Sequence, residues 1–564
     1  MDLPTEEVMR DLVDTLFQEN LFGFADGEVE PAGPGQWRYR AAGVEVQVRP
    51  GGRLQEYRYS QGPVRHDETE LTPDELLRLL ASDSAHTDLV AADLHTAVEH
   101  ARVTLHARHD LLPRSGSLLA GERLAATRNR PFHPTARAAS GWTASELAAY
   151  GPMRPSPLAL TWVAVRTEML RHGSGEDSRR IAELLLDEQD AGQLADVLRK
   201  SGLPSDEFTV LPVHPWQFEH VLPREFVDEF TAGTVRVLGK GIGQGHPTAS
   251  LRTITTAPES ARHLKLPLGI ATLGAARLLP PRYLDNGERG ERLLRTLLDR
   301  DPGLRARVLV CDERTWVGWQ ATAEDEFADR PGQLAAQVRE YPGGVLDDPE
   351  TIALPMAALA AHEWRVFGPV ILCGRRPLDF FTELAELFLA SMLGFLRYGV
   401  LPEPHGQNVV LTVREGRPER LVLRDHDTVR LYPEWLTAAG VANPGYRVRP
   451  GAPQSLSLET AQRLVGYLQT LGVQVNLYAI ADAIGRQYGI AEDTLWDSIR
   501  TATISALDTL DLPAHVSTVL RRQLLEETRW PSRQVLGPLL RSGPSSGVSM
   551  PAGTGSVPNP LRRP

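Results

Sequence analysis

The sequence predicts an α+β protein made of several subdomains. At 564 residues the chain exceeds what one hydrophobic core usually supports, so two to four subdomains are expected. Its 42% hydrophobic and 23% charged residues are typical of globular proteins. Segments with helical periodicity and segments with strand-like alternation are both present, in separate stretches of the chain.

The first 128 residues are expected to form a subdomain of helices and strands. Residues 5–20 and 73–112 carry apolar side chains at helical spacing, whereas residues 37–50 and 53–60 alternate as strands do. These segments predict a small sheet with helices around it.

Residues 129–340 are expected to form a β-rich subdomain. Two helices are predicted first, at 161–173 and 178–200, with the loop GSGED between them. From about 209 to 311, short β-like runs are separated by Gly, Pro and Asp, which predicts a sheet.

Helices return in the third subdomain, 341–540. The strongest helical period covers 379–399, and further helices are predicted from 458 to about 527. The last stretch, 541–564, is rich in Gly, Pro and Ser with almost nothing to bury, so it is predicted to be a disordered tail.

Charge and apolar runs exclude several classes of protein. The formal net charge of −12 argues against a nucleic-acid-binding or membrane-surface protein, because both need a basic face. Cys311 and Cys373 show no CxxC pairing and are expected to be reduced thiols. The N-terminus lacks the features of a signal peptide and no apolar run is long enough to span a membrane, so a cytoplasmic protein is expected.

A β-hairpin is predicted at 409–424, where two apolar runs flank a Gly-Pro turn. If the turn centres between Gly416 and Arg417, Asn408 lies opposite Asp425 at the open end, with Cβ atoms roughly 4.5–5.5 Å apart. An amide oxygen beside a carboxylate suits Mg²⁺ on nucleotide phosphates. Equally, Asn408 and Asp425 could be turn or cap residues that bind the backbone.

The loop before this hairpin, PEPHGQN at 402–408, adds Glu403 and His405 to the same end. Protein kinases use a comparable Asn before a hairpin and an Asp after it, but their HRD triplet is absent here. The comparison therefore extends to a metal clamp and no further.

A second group of residues predicts an anion-binding surface. Thr248, Ser250 and Arg252 alternate, so they would face the same side of a strand. Lys265 lies in the next predicted strand, and Arg277 follows it. Such cations and hydroxyls suit a triphosphate or a polycarboxylate. Taken singly, each cation could instead be an exposed residue without a role.

Two His-Pro pairs fix imidazoles on rigid loops, in NRPFHPTARAASGW (129–142) and LPVHPWQFEH (211–220). His214, beside Trp216, is interpreted as structural. For His133, a structural and a catalytic role remain open.

The motifs FHPTARAASGW, LPVHPWQ, TASLRT, HLKLPLGIATLGAAR, EPHGQN and LRDHD follow one another across residues 129–427. In this order they resemble the IucA/IucC family of NRPS-independent siderophore synthetases. The resemblance implies a cupped-hand fold, in which 1–128 would be the thumb, 129–340 the fingers and 341–540 the palm. It also implies a homodimer.

The resemblance further implies a reaction. Members of the family use ATP and Mg²⁺ to adenylate a carboxylic acid, such as citrate or a related di- or tricarboxylate. They then pass the acyl group to an amine or hydroxyl and release AMP and pyrophosphate. By resemblance, the nucleotide-binding residues are Thr248, Ser250, Arg252, Lys265, Asn408 and Asp425; the metal-binding residues are Glu403, Asn408 and Asp425; and the catalytic residues are His133, Arg277 and His405.

The chain departs from the family pattern where the acyl substrate is expected. Arg130 stands for the first His of the pattern, Arg137 for a Lys and Ala139 for an Arg. Leu273 and Gly274 replace a Thr-Ser pair. These departures put the identity of the acid in question more than the ATP chemistry.

Two other functions are compatible with the sequence. The Asn-hairpin-Asp arrangement would also suit an ATP-dependent phosphotransferase, and the departures would suit a degenerate nucleotide- or siderophore-binding protein. A Walker loop is absent, as are GxSxG and HExxH motifs, so P-loop, serine-hydrolase and zinc-protease functions are disfavoured.

Overall fold

The structure is a computed structural model that describes residues 1–33, 35–107, 110–178, 180–545 and 553–563. The predicted mixture of helix and sheet is confirmed. The N-terminal elements are α1 (Leu3–Glu19), β1 (Glu28–Gly33), β2 (Gln36–Ala41), β3 (Val44–Pro50), β4 (Tyr57–Tyr59), β5 (Val64–His66), β6 (Thr69–Leu71), α2 (Pro73–Leu80) and α3 (Thr87–His106).

Helix α1 packs on an antiparallel sheet of order β1-β2-β3-β5-β6, in which β4 also pairs with β3. The carboxylate of Asp2 accepts a hydrogen bond from the Thr5 backbone N–H at 3.2 Å and so caps α1. The buried face of α1 includes Val8, Leu12 and Leu16, which share one hydrophobic core with the sheet. The sheet with helices predicted for this region is confirmed.

The middle of the chain contains the largest sheet. Its elements are α4 (Leu119–Arg128), α5 (Ala144–Tyr150), β7 (Leu158–Arg166), β8 (Leu170–His172), α6 (Ile181–Leu185), α7 (Glu188–Ser201), β9 (Phe208–Val213), α8 (Pro215–His220), α9 (Leu222–Glu225), α10 (Val227–Thr231), β10 (Val235–Pro247), β11 (Thr253–Thr255), β12 (Arg262–Lys265), β13 (Leu268–Thr272), β14 (Ala275–Arg277), α11 (Pro281–Arg300), α12 (Pro302–Arg307), β15 (Val308–Val310), β16 (Asp312–Trp319) and β17 (Ala335–Glu340).

Eight of these strands form an antiparallel sheet of order β8-β16-β17-β12-β11-β10-β7-β9. The helix predicted at 161–173 is wrong, because this segment supplies β7, at an inner position between β9 and β10, and the edge strand β8. Strand β7 is buried on both faces from Leu160 to Val165. Burial on both faces removes the alternation that identifies a strand, so its period resembles that of a buried helix.

The C-terminal region contains β18 (Thr351–Pro355), α13 (Met356–Leu359), α14 (Trp364–Leu372), α15 (Pro377–Leu396), β19 (Val400–Leu401), β20 (Val409–Arg414), β21 (Arg417–Leu423), β22 (Arg430–Leu431), α16 (Pro433–Ala438), α17 (Ala461–Tyr467), a π-helix (Leu468–Leu477), α18 (Tyr478–Tyr488), α19 (Glu492–Thr509), α20 (Ala514–Arg521), β23 (Arg529–Gln534), α21 (Leu536–Ser542) and β24 (Gly553–Pro558). Strands β15, β21, β20 and β18 form a four-stranded sheet in that order.

Helix α15 lies at the centre of this region and confirms the periodic helix predicted at 379–399. Phe380, Leu384 and Phe388 are fully buried in the largest core of the molecule. The helix contacts both α19 and β21, so it anchors the four-stranded sheet to the C-terminal helices.

The disordered tail predicted for 541–564 is wrong at Arg541 and Ser542, which end α21, and from Gly553 onward, whereas 546–552 and 564 lie outside the described residues. Strand β24 pairs antiparallel with β23, and Val557 lies opposite Trp530. Both side chains are buried, as is that of Leu561. Composition measures how much a segment can bury, whereas backbone pairing with an available strand edge needs only a few apolar contacts. The subdomain boundaries stay a prediction.

Within the described ranges, no helix is both long and apolar enough to cross a membrane.

Candidate functional site

A cavity of about 290 Å³ lies where the eight-stranded and four-stranded sheets meet. It brings together eight of the ten residues predicted for the site: Ser250, Arg252, Lys265, Arg277, Glu403, His405, Asn408 and Asp425. Thr248 and His133 are also buried, but they do not line the cavity. The cavity therefore brings together predicted site residues from segments that lie more than 100 positions apart in the sequence.

The hairpin at the cavity edge has the predicted strands in a different register. Arg414 pairs with Arg417, so Glu415 and Gly416 form the turn, and the register shifts again at Thr412. Both turn residues have positive φ, of 48° and 74°, as a type I′ turn requires.

The predicted opposition of Asn408 and Asp425 is therefore off by one residue. The carbonyl oxygen of Asn408 accepts a hydrogen bond from the Arg424 backbone N–H at 3.1 Å. Asp425 comes next, with φ of +60°. The left-handed backbone ends the strand there, and the Asp425 carboxylate still faces the cavity.

Arg424 fixes the loop 403–408 to the rest of the site. Its Nε donates to the carbonyl oxygen of Gln407 at 2.8 Å, and its Nη1 donates to Glu122 on α4 at 2.5 Å. The second carboxylate oxygen of Glu122 accepts from the backbone N–H of Ala249 at 3.3 Å. One buried ion pair thus joins the loop to the connection that carries Ser250 and Arg252.

The close packing of this loop requires glycine at position 406. A Cβ at Gly406 would lie 2.7 Å from Oδ1 of Asn476 and 2.9 Å from the backbone nitrogen of Ala357. Asn476, on the π-helix, also donates to the carbonyl oxygen of Pro404 at 3.1 Å. The π-helix therefore positions the loop from behind, as π-helical turns often do at functional sites.

Asp425 is the centre of a buried ion network. Its carboxylate accepts hydrogen bonds from Lys265 and, at 2.5 Å, from Arg339. Arg339 also binds Glu313, which accepts from the Asp425 backbone N–H at 3.0 Å. Burial alone would raise the pKa of Asp425, but Arg339 and Lys265 hold it well below its usual range. Asp425 is therefore ionised and already matched by cations.

Asp427 lines the same cavity and was not predicted. Burial raises the pKa of its carboxyl group; Lys265 opposes this shift and Asp425 adds to it. None of the described residues donates a hydrogen bond to its carboxylate. The signal was present in LRDHD, because Asp427 lies two residues after Asp425.

Arg252 and Arg277 present cationic donors to the cavity. Nη1 of Arg252 donates to the carbonyl oxygen of Leu278 at 2.5 Å, and Nε of Arg277 donates to the hydroxyl of Thr272. Burial, together with the neighbouring Arg252, lowers the pKa of Arg277 to about 9. The Nη groups of Arg277 have no hydrogen-bond acceptor in the described part of the chain. An anion bound there would offset the repulsion between the guanidinium groups of Arg252 and Arg277.

Thr248, Ser250 and Arg252 lie on a connection rather than on the predicted strand. The backbone N–H of Thr248 donates to the carbonyl oxygen of Thr253 at 2.8 Å, which closes a tight turn between β10 and β11. The hydroxyls of Thr248 and Ser250 are 3.2 Å apart. Thr248 therefore supports Ser250 and does not reach the cavity itself.

Glu403 is bound by a cation of its own. Its carboxylate accepts a hydrogen bond from Arg430, whose guanidinium lies 4.0 Å from the centre of the Tyr467 ring. Burial would raise the pKa of Glu403, but Arg430 lowers it below its ordinary value. Over the residues that the structure describes, no cluster of three or more His, Cys, Asp or Glu side chains is arranged to hold a metal ion.

His405 faces the cavity as a neutral imidazole. Its Nδ1 accepts a hydrogen bond from the Gln407 backbone N–H at 3.2 Å, so the ring proton is on Nε2. Burial, reinforced by Arg130, lowers the pKa of His405 to about 3. Nε2 has no partner among the described residues. This N–H is available as a donor to a ligand.

Arg137, one of the departures from the family pattern, is engaged with helix α1. Its Nη2 donates to Glu7 at 2.9 Å and its Nη1 to Asp11 at 3.2 Å. Although Arg137 borders the cavity, its charge is matched by these two carboxylates. His214, interpreted as structural, caps α8 by accepting from the Trp216 backbone N–H at 3.2 Å.

Comparisons with known proteins identify the chain. The model of the "IucA / IucC family" matches residues 117–361, and that of "Ferric iron reductase FhuF-like transporter" matches 378–544. Staphyloferrin B synthase of Staphylococcus aureus is 32% identical over 98% of this chain and 97% of its own length. A second protein of that organism is 26% identical over 65% of this chain and 62% of its own length; it is named 2-[(L-alanin-3-ylcarbamoyl)methyl]-3-(2-aminoethylcarbamoyl)-2-hydroxypropanoate synthase.

Solved structures have the same fold. The petrobactin biosynthesis protein AsbB of Bacillus anthracis gives a TM-score of 0.83 at 18% identity, covering 99% of this chain and 95% of its own. ATP-bound aerobactin synthetase IucA of Klebsiella pneumoniae gives 0.74 at 18% identity, covering 98% and 99%. The predicted cupped-hand fold is therefore confirmed, and with the 32% identity over nearly its full length, the chain belongs to the IucA/IucC family.

Proposed function

We propose that the chain is an ATP-dependent ligase of siderophore biosynthesis. It would adenylate a carboxylic acid, citrate or a related di- or tricarboxylate, and condense it with an amine or hydroxyl. The observation that carries this proposal is the cavity in which Arg252, Lys265 and Arg277 face the carboxylates of Asp425 and Asp427. Cations suit phosphates and carboxylates, and a carboxylate beside them suits a metal ion that is bound to the phosphates.

Family membership supports the same reaction. One relative is named for a 2-hydroxypropanoate that carries two carbamoyl groups, and a structural relative was solved with ATP. Both facts are compatible with an amide-forming use of ATP in this cavity.

The residues present fit Mg²⁺, but not in the predicted set. Glu403 is occupied by Arg430, and Asp425 by Lys265 and Arg339. Among the described residues the Asp427 carboxylate forms no direct ion pair, although Lys265 acts on it at longer range, and Asn408 adds an amide oxygen to the same cavity. Asp427 and Asn408 are therefore the residues that would hold Mg²⁺, which would offset negative charge on the ATP phosphates.

In the first step, a carboxylate oxygen of the acid forms a bond to the α-phosphorus of ATP. The bond from this phosphorus to the bridging oxygen breaks, and pyrophosphate leaves. Negative charge builds on the phosphoryl oxygens, and Arg252 and Arg277 would stabilise it, since both are half-buried guanidinium donors that line the cavity.

In the second step, the amine nitrogen attacks the acyl carbon, loses one proton, and AMP leaves. The attack places negative charge on the carbonyl oxygen. Nε2–H of His405 and the Nη groups of Arg277 would donate hydrogen bonds to this oxyanion. His405 acts here as a donor and not as a base, because its pKa of about 3 makes it a poor proton acceptor.

The test is a trapping assay with hydroxylamine, ATP and Mg²⁺ across citrate, α-ketoglutarate, succinyl derivatives and other di- and tricarboxylates. We expect pyrophosphate, AMP and an acyl hydroxamate with at least one acid. Pyrophosphate at background with every acid would contradict the proposal. Release of ADP would instead favour a phosphotransferase.

A further inference from the structure

A second, smaller cavity of about 30 Å³ lies beside the main one. Arg130 lines both cavities. Arg58, Arg130 and Arg533 line the smaller one together with Asp14, so three guanidinium groups and one carboxylate border this small space.

Arg58 is held rigidly but its donors are not all used. It is 3% exposed and lies over two aromatic rings, 5.4 Å from the centre of Phe132 and 4.8 Å from that of Tyr478. Its nearest carboxylate, on Asp14, is 3.9 Å from Nη1. Neither Nε nor Nη1 has a hydrogen-bond partner among the described residues. Donors fixed in this way and left without acceptors indicate a ligand.

Arg533 approaches the cavity from β23. In the described ranges its buried Nε has no hydrogen-bond partner and its guanidinium forms no ion pair. The carboxylate of Glu403 raises the pKa of Arg533, but it already accepts a hydrogen bond from Arg430. Burial lowers the pKa of Arg533, so the free protein bears an electrostatic cost there.

Arg130 adds a third positive charge between the two cavities. Burial, together with Arg533, lowers its pKa to about 9, and Arg277 adds to this effect. Arg130 stands where the family pattern has a histidine, so it places a guanidinium group where the pattern has an imidazole.

We propose that Arg58, Arg130 and Arg533 form a carboxylate-binding pocket, which holds a carboxylate that one substrate carries away from its reacting group. A planar carboxylate matches the fork of donors that a guanidinium group presents. The pocket lies next to the main cavity, so a substrate with its reacting group beside Arg277 could extend past Arg130. This inference rests on the proposed function.

The carboxylate could belong to the acid or to an amine substrate, and two probe pairs distinguish them. Citrate and citramalate differ by one terminal carboxylate, as do 2,3-diaminopropionate and 1,2-diaminoethane. The acid pair is compared by pyrophosphate release with hydroxylamine as the nucleophile. The amine pair is compared by amide formation with citrate or, where citrate gives no pyrophosphate, α-ketoglutarate as the acid.

The test variant is Arg533→Gln, and the matched control is Arg529→Gln. Arg529 lies on the same strand, is exposed, and binds Ser556. For one pair, Arg533→Gln should raise the KM of the carboxylate-bearing probe by at least about ten-fold, the loss expected for one charge-assisted hydrogen bond. The KM of its partner lacking that carboxylate should change less than two-fold, and the control should match the wild type with every probe.

Binding without turnover gives an independent reading. Citrate and 2,3-diaminopropionate are each titrated against the wild type and both variants while the melting temperature is followed. At least one probe should stabilise the wild type and Arg529→Gln more than Arg533→Gln.

Equal responses of the wild type and Arg533→Gln in both experiments would overturn the pocket, even if the adenylation assay succeeds. An inactive wild type in that assay would instead contradict the proposed function, and the melting experiment would still decide the pocket.

Discussion

Asp427 is a carboxylate of the main cavity that forms no direct ion pair with the described residues. We expect Asp427→Asn to raise the KM for ATP·Mg²⁺ by at least about ten-fold, because an amide is a weaker metal ligand than a carboxylate. The measurement is pyrophosphate release at varied ATP. The exposed Asp511→Asn serves as a control and should behave as the wild type.

The same residue predicts a pH dependence. The raised pKa means that Asp427 becomes protonated at a higher pH than an ordinary aspartate. Affinity for ATP·Mg²⁺ should therefore fall as the pH is lowered, beginning above the ordinary Asp range. In Asp427→Asn this part of the decline should be absent; an identical pH profile in both proteins would contradict the assignment.

His405 is predicted to act through its Nε2 proton. His405→Ala should lower the rate of amide formation by about 10²-fold or more, because an oxyanion donor is lost. His405→Gln restores an N–H donor and should recover part of the rate. The measurement separates pyrophosphate release from amide formation, since Ala should affect the second step more. Near-normal amide formation in the Ala variant would rule out the role.

At the scale of elements, helix α1 is tied to the wall of the cavity by Arg137. Arg137→Lys, which restores the residue of the family pattern, cannot bind Glu7 and Asp11 with two separate Nη groups. We expect a loss of about 1–3 kcal/mol in the free energy of unfolding, measured in urea, as for a partly broken buried ion pair. The exposed Arg463→Lys should have no measurable effect.

The hairpin and the eight-stranded sheet show what the sequence could and could not predict. The apolar runs of β20 and β21 were recognisable, but the turn at Glu415 and Gly416 was placed one residue too late, because both centres satisfied the same apolar pattern. The site residues clustered as the motifs predicted. Glu403 could not be excluded as a metal ligand, since its partner Arg430 is set by tertiary packing.

Contacts between buried or half-buried titratable side chains link the N-terminal and C-terminal parts of the molecule, among them Arg128 with Asp482 and Glu7 with His362. Burial would raise the pKa of Glu7, but Arg137 and His362 lower it to about 2, and Arg486, Arg128 and Arg58 lower the pKa of Asp482 despite its burial. An acid with a lowered folded-state pKa stabilises the protein above its ordinary pKa. This stabilisation is lost as the pH falls toward the folded-state value.

We therefore expect cooperative loss of stability between about pH 4.5, the ordinary value for Glu, and pH 2. Urea unfolding at pH 7, 4 and 3 measures it. Glu7→Gln should lower stability at pH 7 and flatten the decline across this range. A slope equal to that of the wild type would show that Glu7 does not contribute.

The pairing of β24 with β23 has a practical consequence for anyone who prepares this protein. A vector designed from composition alone would stop before residue 541 and treat the remainder as dispensable. Such a shortened polypeptide would leave Trp530 uncovered and unpair the backbone that supports Arg533. If Arg533 binds a substrate carboxylate as proposed, the shortened polypeptide would also have an altered preference among acids or amines. Substrate profiles should be recorded on a chain that includes residues 541–564, with any affinity tag at the N-terminus.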